Sequence, residues 1–591
     1  MTRRTASDAS LLAVFLMLFA AAIVFVVFHG TAVGLHDDAA HAAAADPAFR
    51  PGLGWFWAQH NEHRIPLPRL VFSFLLHTTR DFRTATVVNV FVLALSAGGL
   101  ALIARRLRGR SSPADAFFPL AFFSWGHHET LLNGFQIVFV IPVAIACGTT
   151  AIFATSSGRM SARRVALVAF LALLLPLCGA PGFVHAAILA VWLGWAAFAL
   201  RGAKGSDAPR TRAASAIGAL AIFALCAAYF VGLRAEHPAQ ATEPVAILTT
   251  AGRVLGTWAG EAARTAWPWS GILMSGALAA ASIACIVFAR REPAHRARWY
   301  GLLAILASSA LIALAIGRGR GGDGANIGFL SRYGALMLAW PSAIFLGASF
   351  LPNPRWRRGV QFALCVLAAW GWTLSVRAGN EAGASRSLTV SAMERRLSQG
   401  LSYTEIADRR PASTGEERAH FVRALRDLDR AGAAPFAHAP GRDPWLLLGH
   451  DPWTGEIRRP GRVTAGNRPV EARLHGRVDA FVVEHDGVLE WDLPERVTIV
   501  RGLCGIVPDS SATFAGLTPT LVAEILDIDG RVLDTARIEV SFDDGRAVDG
   551  TRDFGLFAEQ AAGRTLRLSC DPIAGVVVAT PRFYWAEVRV R

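Results

Sequence analysis

The first 380 residues alternate long apolar runs with short polar ones, on the scale of a bilayer rather than of a soluble core. Eleven runs approach the ~20 residues a helix needs to cross hydrocarbon: 10–29, 84–104, 113–128, 135–154, 164–180, 183–200, 214–233, 268–289, 300–317, 333–351 and 360–377. Beyond 380 the pattern changes. Helices are expected from Met393 to Ile406 and from Glu416 to Arg430. From about Arg462, short runs rich in β-branched and aromatic residues follow, at Val478–Val483, Val497–Val500, Thr520–Ile528, Arg537–Phe542 and Phe583–Val590. Asp-Gly turns at Asp486-Gly487, Asp529-Gly530 and Asp544-Gly545 punctuate them, a pattern that predicts a β-sandwich. The expected division is a transmembrane domain (1–380), a helical connector (381–460) and a sandwich-like domain (461–591).

Charge orients the spans. The loops Arg105–Arg110, Arg159–Arg164, Arg201–Arg212, Arg290–Arg298 and Arg355–Arg358 are short and arginine-rich, so the positive-inside rule places them and the N-terminus in the cytoplasm. An odd number of spans then puts residues 378–591 outside the inner (plasma) membrane. Met1 to Arg4 and the apolar run behind them lack a convincing small-residue cleavage site, so an uncleaved anchor is expected. The net charge of +14 partly reflects these loops. Only 15 of the 45 acidic residues lie in residues 1–390, and the balance is therefore no nucleic-acid footprint. Cys147, Cys178, Cys226, Cys285 and Cys365 fall in apolar runs as small fillers, whereas an extracytoplasmic sandwich would allow Cys504 and Cys570 to form a disulfide.

The long loop 30–83, on the external side by this assignment, holds the densest chemistry. Asp37-Asp38 is followed by Trp55-Phe56-Trp57, which suits a membrane interface, and by His60-Asn61-Glu62-His63-Arg64. Pro66 and Pro68 end any incoming helix, and Leu70–Leu76 reads as a surface helix too short to span. Ionisable groups near lipid are costly, which favours a site facing a cavity. The same residues also suit an interfacial loop with solvated charges and a structural Arg–Glu pair. His60 and His63 are three apart without a further ligand, a poor zinc pattern, and no metal site is assigned.

Two further constellations belong to the same face. In Trp125–Gln136, a continuous helix would align Glu129, Asn133 and Gln136 at i, i+4 and i+7, beside His128. A polar turn between spans is the plain alternative. Gly317–Asp323 places Arg318 and Arg320 outside, against the charge trend, with Ser331-Arg332-Tyr333 close behind. Arginine forks on a glycine-rich backbone suit phosphate oxygens, or lipid headgroups.

A first span, a long acidic external loop, surface helices and some ten further spans resemble the GT-C superfamily of membrane glycosyltransferases. The strings Gln59–Arg64, Glu129–Gln136, and Gly317-Arg318 with Ser331-Arg332-Tyr333 resemble those of poorly characterised bacterial members, over roughly residues 10–380. The resemblance implies a polytopic α-helical fold with an extracytoplasmic α+β or β-sandwich domain, and sugar transfer from a polyprenyl-phosphate donor. It implies a base at Asp37 or Asp38. Glu62 would orient the acceptor or bind a divalent cation, and Arg318 or Arg332 would steady the leaving phosphate. His60, Asn61, His63, Arg64, His128, Glu129, Asn133, Gln136 and Tyr333 would line the substrate site. Expected partners are membrane lipid, the lipid-linked sugar, and a carbohydrate or envelope partner at the C-terminal domain. A transporter or flippase, or a non-catalytic envelope scaffold, are the competing classes.

Overall fold

The computed structural model describes residues 3–156, 158, 160–199, 208–234, 240–324, 326–398, 406 and 415–433. Beyond these it describes 446–447, 462–465, 468–469, 473–474, 480–484, 487–493, 499–506, 520–539, 542–543, 546–547, 552–557, 565–571 and 582–590. The chain divides into two compact units, Met1–Ser391 and Ala392–Arg591.

The first unit is helical: α1 (Arg3–His29), α2 (Leu53–Trp57), α3 (Pro66–Thr79), α4 (Arg83–Arg108), α5 (Phe117–Phe122), α6 (His128–Leu132), α7 (Ile137–Ala154), α8 (Ala162–Leu174), α9 (Ala180–Ala199), α10 (Ala208–Phe230), α11 (Pro244–Gly256), α12 (Glu261–Thr265), α13 (Trp269–Arg291), α14 (Arg296–Arg320), α15 (Arg332–Leu336), α16 (Ala339–Ala348) and α17 (Pro354–Ser398). Among the described residues, eight helical stretches are long and apolar enough to cross a membrane. They contain α1, α4, α7, α9, α10, α13, α14 and α17 and coincide with eight of the expected spans, making the protein a multi-pass membrane protein.

The other three expected spans are interrupted. Residues 113–128 comprise a 3-10 turn at Pro113–Ala116, then α5, then a second turn at Trp125–His127. Residues 164–180 hold most of α8 and the turn Leu175–Cys178, closed by Gly179 at φ 93°. Residues 333–351 split into α15 and α16. Averaged hydropathy cannot see such breaks, because Ser, Gly and Pro interrupt the backbone without making the run polar.

Non-helical backbone away from water persists only where its polar groups find partners. Here side chains from distant segments supply them. Buried Asn89 of α4 donates Nδ2 to the carbonyls of Thr130 (3.2 Å) and Asn133 (3.3 Å) at the end of α6. Ser331 Oγ accepts from Glu129 N at 3.2 Å, and Ser375 Oγ of α17 accepts from Glu261 N at 3.0 Å, so the starts of α6 and α12 are capped from elsewhere in the fold.

In the second unit, a helix at Gly415–Arg430 precedes, among the described residues, two larger antiparallel sheets and a two-stranded one that pairs Phe542–Asp543 with Arg546–Ala547. One runs Val532–Glu539, Thr520–Leu526, Thr565–Cys570, Gly487–Asp492, Arg462–Ala465, Arg468–Pro469; the other runs Arg552–Phe557, Ile499–Ile506, Arg582–Val590, Ala480–Glu484, Arg473–Leu474. Asp529-Gly530 makes the turn between two neighbouring strands, with Gly530 at φ 77° and Asp527 Oδ1 accepting from Asp529 N and Arg531 N. Cys504 and Cys570 lie in different sheets as free thiols, so the disulfide allowed by the sequence is not formed. The expected turn residues Asp486 and Asp544-Gly545, the stretch 399–405 and the loop around Lys204 lie outside the described residues.

Helix α17 approaches the 3-10 turn Thr257–Ala259 closely enough that a Cβ on Gly371 would strike the Ala259 carbonyl, whereas nothing lies within 4 Å of one on Gly359. Gly371→Ala should therefore lower thermal stability in detergent by about 1–3 kcal/mol. Gly359→Ala should leave it unchanged or raise it by about 0.5–1 kcal/mol. Scanning fluorimetry of the purified variants compares the two.

Candidate functional site

Chain leaving α1 at Gly30 enters a 3-10 helix, His36–Ala45, whose small residues Ala39, Ala42, Ala44 and Ala45 are buried where it packs on α3. The adjacent aspartates are treated differently. Asp38 is fully buried: Oδ1 accepts from Phe135 N at 2.6 Å, and Oδ2 lies 3.4 Å from Nη2 of Arg386 on α17. Asp37 keeps 36% of its side chain exposed, with Oδ1 4.0 Å from His60 Nε2. Burial pushes the Asp38 carboxyl up to about 7, against the lowering pull of Arg386 and the Phe135 N–H.

The polar string Gln59–Arg64 is a hairpin, with Gln59–His60 (β1) paired antiparallel to His63–Arg64 (β2). Asn61 occupies the left-handed region at φ 48°, a conformation its short amide side chain tolerates, and leaves Glu62 beside it in the turn. Gln59 ties the hairpin to Arg234, its amide donating to the Arg234 carbonyl (2.7 Å) and accepting from its N–H (2.9 Å). His60 packs its ring against Phe135 (4.8 Å) and against buried His41 (5.5 Å). Burial, then His60 and Arg69, hold His41 well below the ordinary histidine range, so its ring is neutral. Burial, then Arg320, lowers His63 to about 4, so its 3.7 Å approach to Glu62 is a contact of a neutral ring and not an ion pair.

Two arginines of this loop serve the fold. Arg64 donates to the carbonyls of Trp57 (2.7 Å), Tyr229 (3.0 Å) and Val231 (2.7 Å), clamping the hairpin to the end of α10. Expected among the substrate ligands, the guanidinium is here bonded to backbone oxygens. Arg69, which the sequence reading did not single out, likewise donates to Trp55 and Ala58 carbonyls at the end of α2.

Arg318 and Arg320 point in different directions. Helix α14 continues through Arg320, and residues two apart on a helix point about 200° apart. Arg318 Nε therefore bonds Gln240 (2.9 Å), and Arg320 faces the hairpin, 3.5 Å from Glu62 and 3.5 Å from Asp323.

The expected stripe at Glu129, Asn133 and Gln136 does not form. α6 ends at Leu132, Asn133 is extended, and a new 3-10 turn starts at Gly134. Asn133 caps that turn, accepting from Phe135 N at 3.1 Å, and Gln136 is buried. Glu129 instead meets the third constellation: Ser331 Oγ donates to it at 3.0 Å, and Arg332 lies 3.8 Å away, near the ring of buried Tyr333. Glu261 and Arg264 pair at 3.6 Å, and both act electrostatically on His128. Among the described residues no group of three or more His, Cys, Asp or Glu is placed to hold a metal ion, and Glu62 has arginine for a neighbour.

Not chosen as site residues in the sequence were His41, Arg320, Asp323, Glu261, Arg264 and Arg386. Arg320 had a readable signal, the helical phase of Gly317–Arg320. Arg386 had none, being 348 residues from Asp38.

An acid whose folded pKa exceeds its unfolded value of 3.8 holds more protons in the folded state, so its contribution to stability is lost as pH rises from about 4 to about 7. His63 acts with the opposite sign, its contribution present above 6.5 and lost as pH falls through about 4. Comparing wild type with Asp38→Asn isolates the first effect. Between pH 4 and 7 the wild-type melting temperature should fall relative to that of the variant; a pH-independent difference would refute the assignment.

No family model matches the chain, and no curated protein matches it. Among solved structures, the cryo-EM structure of the arabinosyltransferase EmbB from Mycobacterium smegmatis aligns at 15% identity and a TM-score of 0.30, covering 98% of this chain and 64% of that one. The chain thus spans just under two thirds of that protein's length.

Proposed function

We propose that the protein is a membrane glycosyltransferase that moves a sugar from a polyprenyl-phosphate-linked donor to an extracytoplasmic acceptor in the cell envelope. The observation that carries this reading is the division of labour in the aspartate pair. Asp38 is enclosed and bonded on both oxygens, while Asp37 presents a partly exposed carboxylate beside His60. The external face and the donor class come from the charge pattern and the family resemblance of the sequence.

In this reading Asp37 accepts the proton of an acceptor hydroxyl as that oxygen attacks the anomeric carbon. The sugar–phosphate bond breaks, and its electron pair leaves with the polyprenyl phosphate. Arg320 and Arg332 are the cations suited to the developing charge, since each faces a carboxylate at 3.5–3.8 Å, a spacing that an entering phosphate can rearrange. Glu62, in the hairpin turn, orients the acceptor. A second reading, a transporter, is favoured by the three interrupted apolar segments, since broken helices also build transport sites.

Sugar transfer from a polyprenyl-phosphate donor pool in membranes separates the two. Asp37→Asn should lower the transfer rate by about 10²–10⁴-fold at unchanged protein level. Glu62→Gln should cost less, and Asp38→Asn should act first on stability. Full transfer by Asp37→Asn would overturn the assignment of the base. Substrate movement across the bilayer without transfer would favour the transporter.

A further inference from the structure

At the opposite end of the helical unit from the aspartate pair lies a cavity of about 990 Å³ that the proposed chemistry does not use. Three membrane-crossing helices meet there: Asp8 near the start of α1, Arg108 at the end of α4 and Pro354 at the start of α17. The candidate site follows the other end of α1, so the 22 residues Asp8–His29, about 33 Å of helix, separate the two.

The lining is strongly basic. Arg105, Arg108, Arg110, Arg357 and Arg358 face a single aspartate, Asp8. Asp8 is already engaged by Arg105 (2.8 Å) and Ser111 Oγ (2.5 Å), and Arg108 pairs through one nitrogen with buried Asp115. That leaves positive charge unspent. Arg108 Nε and Nη1 are buried near the Phe345 ring and closed to a ligand, whereas Arg110 and Arg358 are exposed and make no hydrogen bond or ion pair among the described residues. The start of α17 adds the positive dipole end of a long helix, although Pro354 carries no N–H and Asn353 Oδ1 already accepts from Arg355 N at 2.8 Å. Guanidinium forks converging with a helix N-terminus are chemistry for a phosphate.

We propose that this cavity binds the phosphate of an anionic phospholipid headgroup. The apolar rim favours lipid over a soluble anion. Phe362, 62% exposed, belongs to the lining, and Trp356, in the first turns of α17, is 69% exposed, as suits an interfacial anchor. The arginine-rich loops on this face are those the charge rule assigns to the cytoplasm, whose leaflet is the anionic one.

The test is native mass spectrometry of the purified full-length protein titrated with phosphatidylglycerol or phosphatidylcholine, comparing wild type with Arg110→Ala/Arg358→Ala. Neither side chain has a partner among the described residues, so the variant should melt with wild type, and single Arg110→Gln serves if it does not. Wild type should retain phosphatidylglycerol in preference to phosphatidylcholine, and the double variant should lose about tenfold or more of its phosphatidylglycerol affinity. Retention unchanged in the variants would overturn the site. Displacement of phosphatidylglycerol by excess inorganic phosphate would overturn the lipid source and leave a soluble phosphate as the ligand.

Discussion

The bond from Phe135 N to Asp38 joins the two halves of the candidate site and answers a constraint that governs the whole helical unit. A polypeptide that interrupts its helices away from water exposes amide groups that only other protein groups can satisfy. α7 is preceded by such an interruption, and a carboxylate is a strong acceptor for a helix start, where the dipole also favours negative charge. Asp38 fills that place from a segment 97 residues away and, through Arg386, links it to α17. Burying the carboxylate has a cost, visible in its elevated pKa. The return is positional: Asp37 is its sequence neighbour, so whatever holds Asp38 also holds Asp37 beside His60.

Much of this was legible in the sequence, in proportion to how local the signal was. Apolar length located eight crossing helices, although the last runs on to Glu394, well past the expected end at 377. It read straight through breaks that cost no hydropathy, as at Ser124–Gly126 or Pro176–Gly179, since both stretches remain apolar on average. The cluster Gln59–Arg64 was legible as dense polar chemistry, and Asn61 is a residue that turns accept, yet its hairpin form was not read. Arg318 was chosen over Arg320 because Gly317–Gly322 read as a loop, and a loop has no helical phase to separate two arginines. Arg386 and Ser331 were beyond reach as partners, because nothing near Asp38 or Glu129 specifies a group hundreds of residues away.

The arginines of the helical unit sort by what they hold. Arg64 and Arg69 grip backbone carbonyls at the ends of α10 and α2, where a helix terminus supplies orphan acceptors and a buried guanidinium supplies donors. Each partner would be left unsatisfied without the other, so these contacts resist exchange with a ligand. Arg320 and Arg332 face carboxylates at 3.5–3.8 Å, beyond the 2.7–2.9 Å of a well-formed charge-assisted bond. Both pairs are partly exposed, where such contacts contribute little to stability. A phosphate entering either place would gain an arginine at small cost to the fold. The residues fit to bind a charged substrate are thus those the fold depends on least, while the neighbouring clamps keep the hairpin in place as ion pairs rearrange.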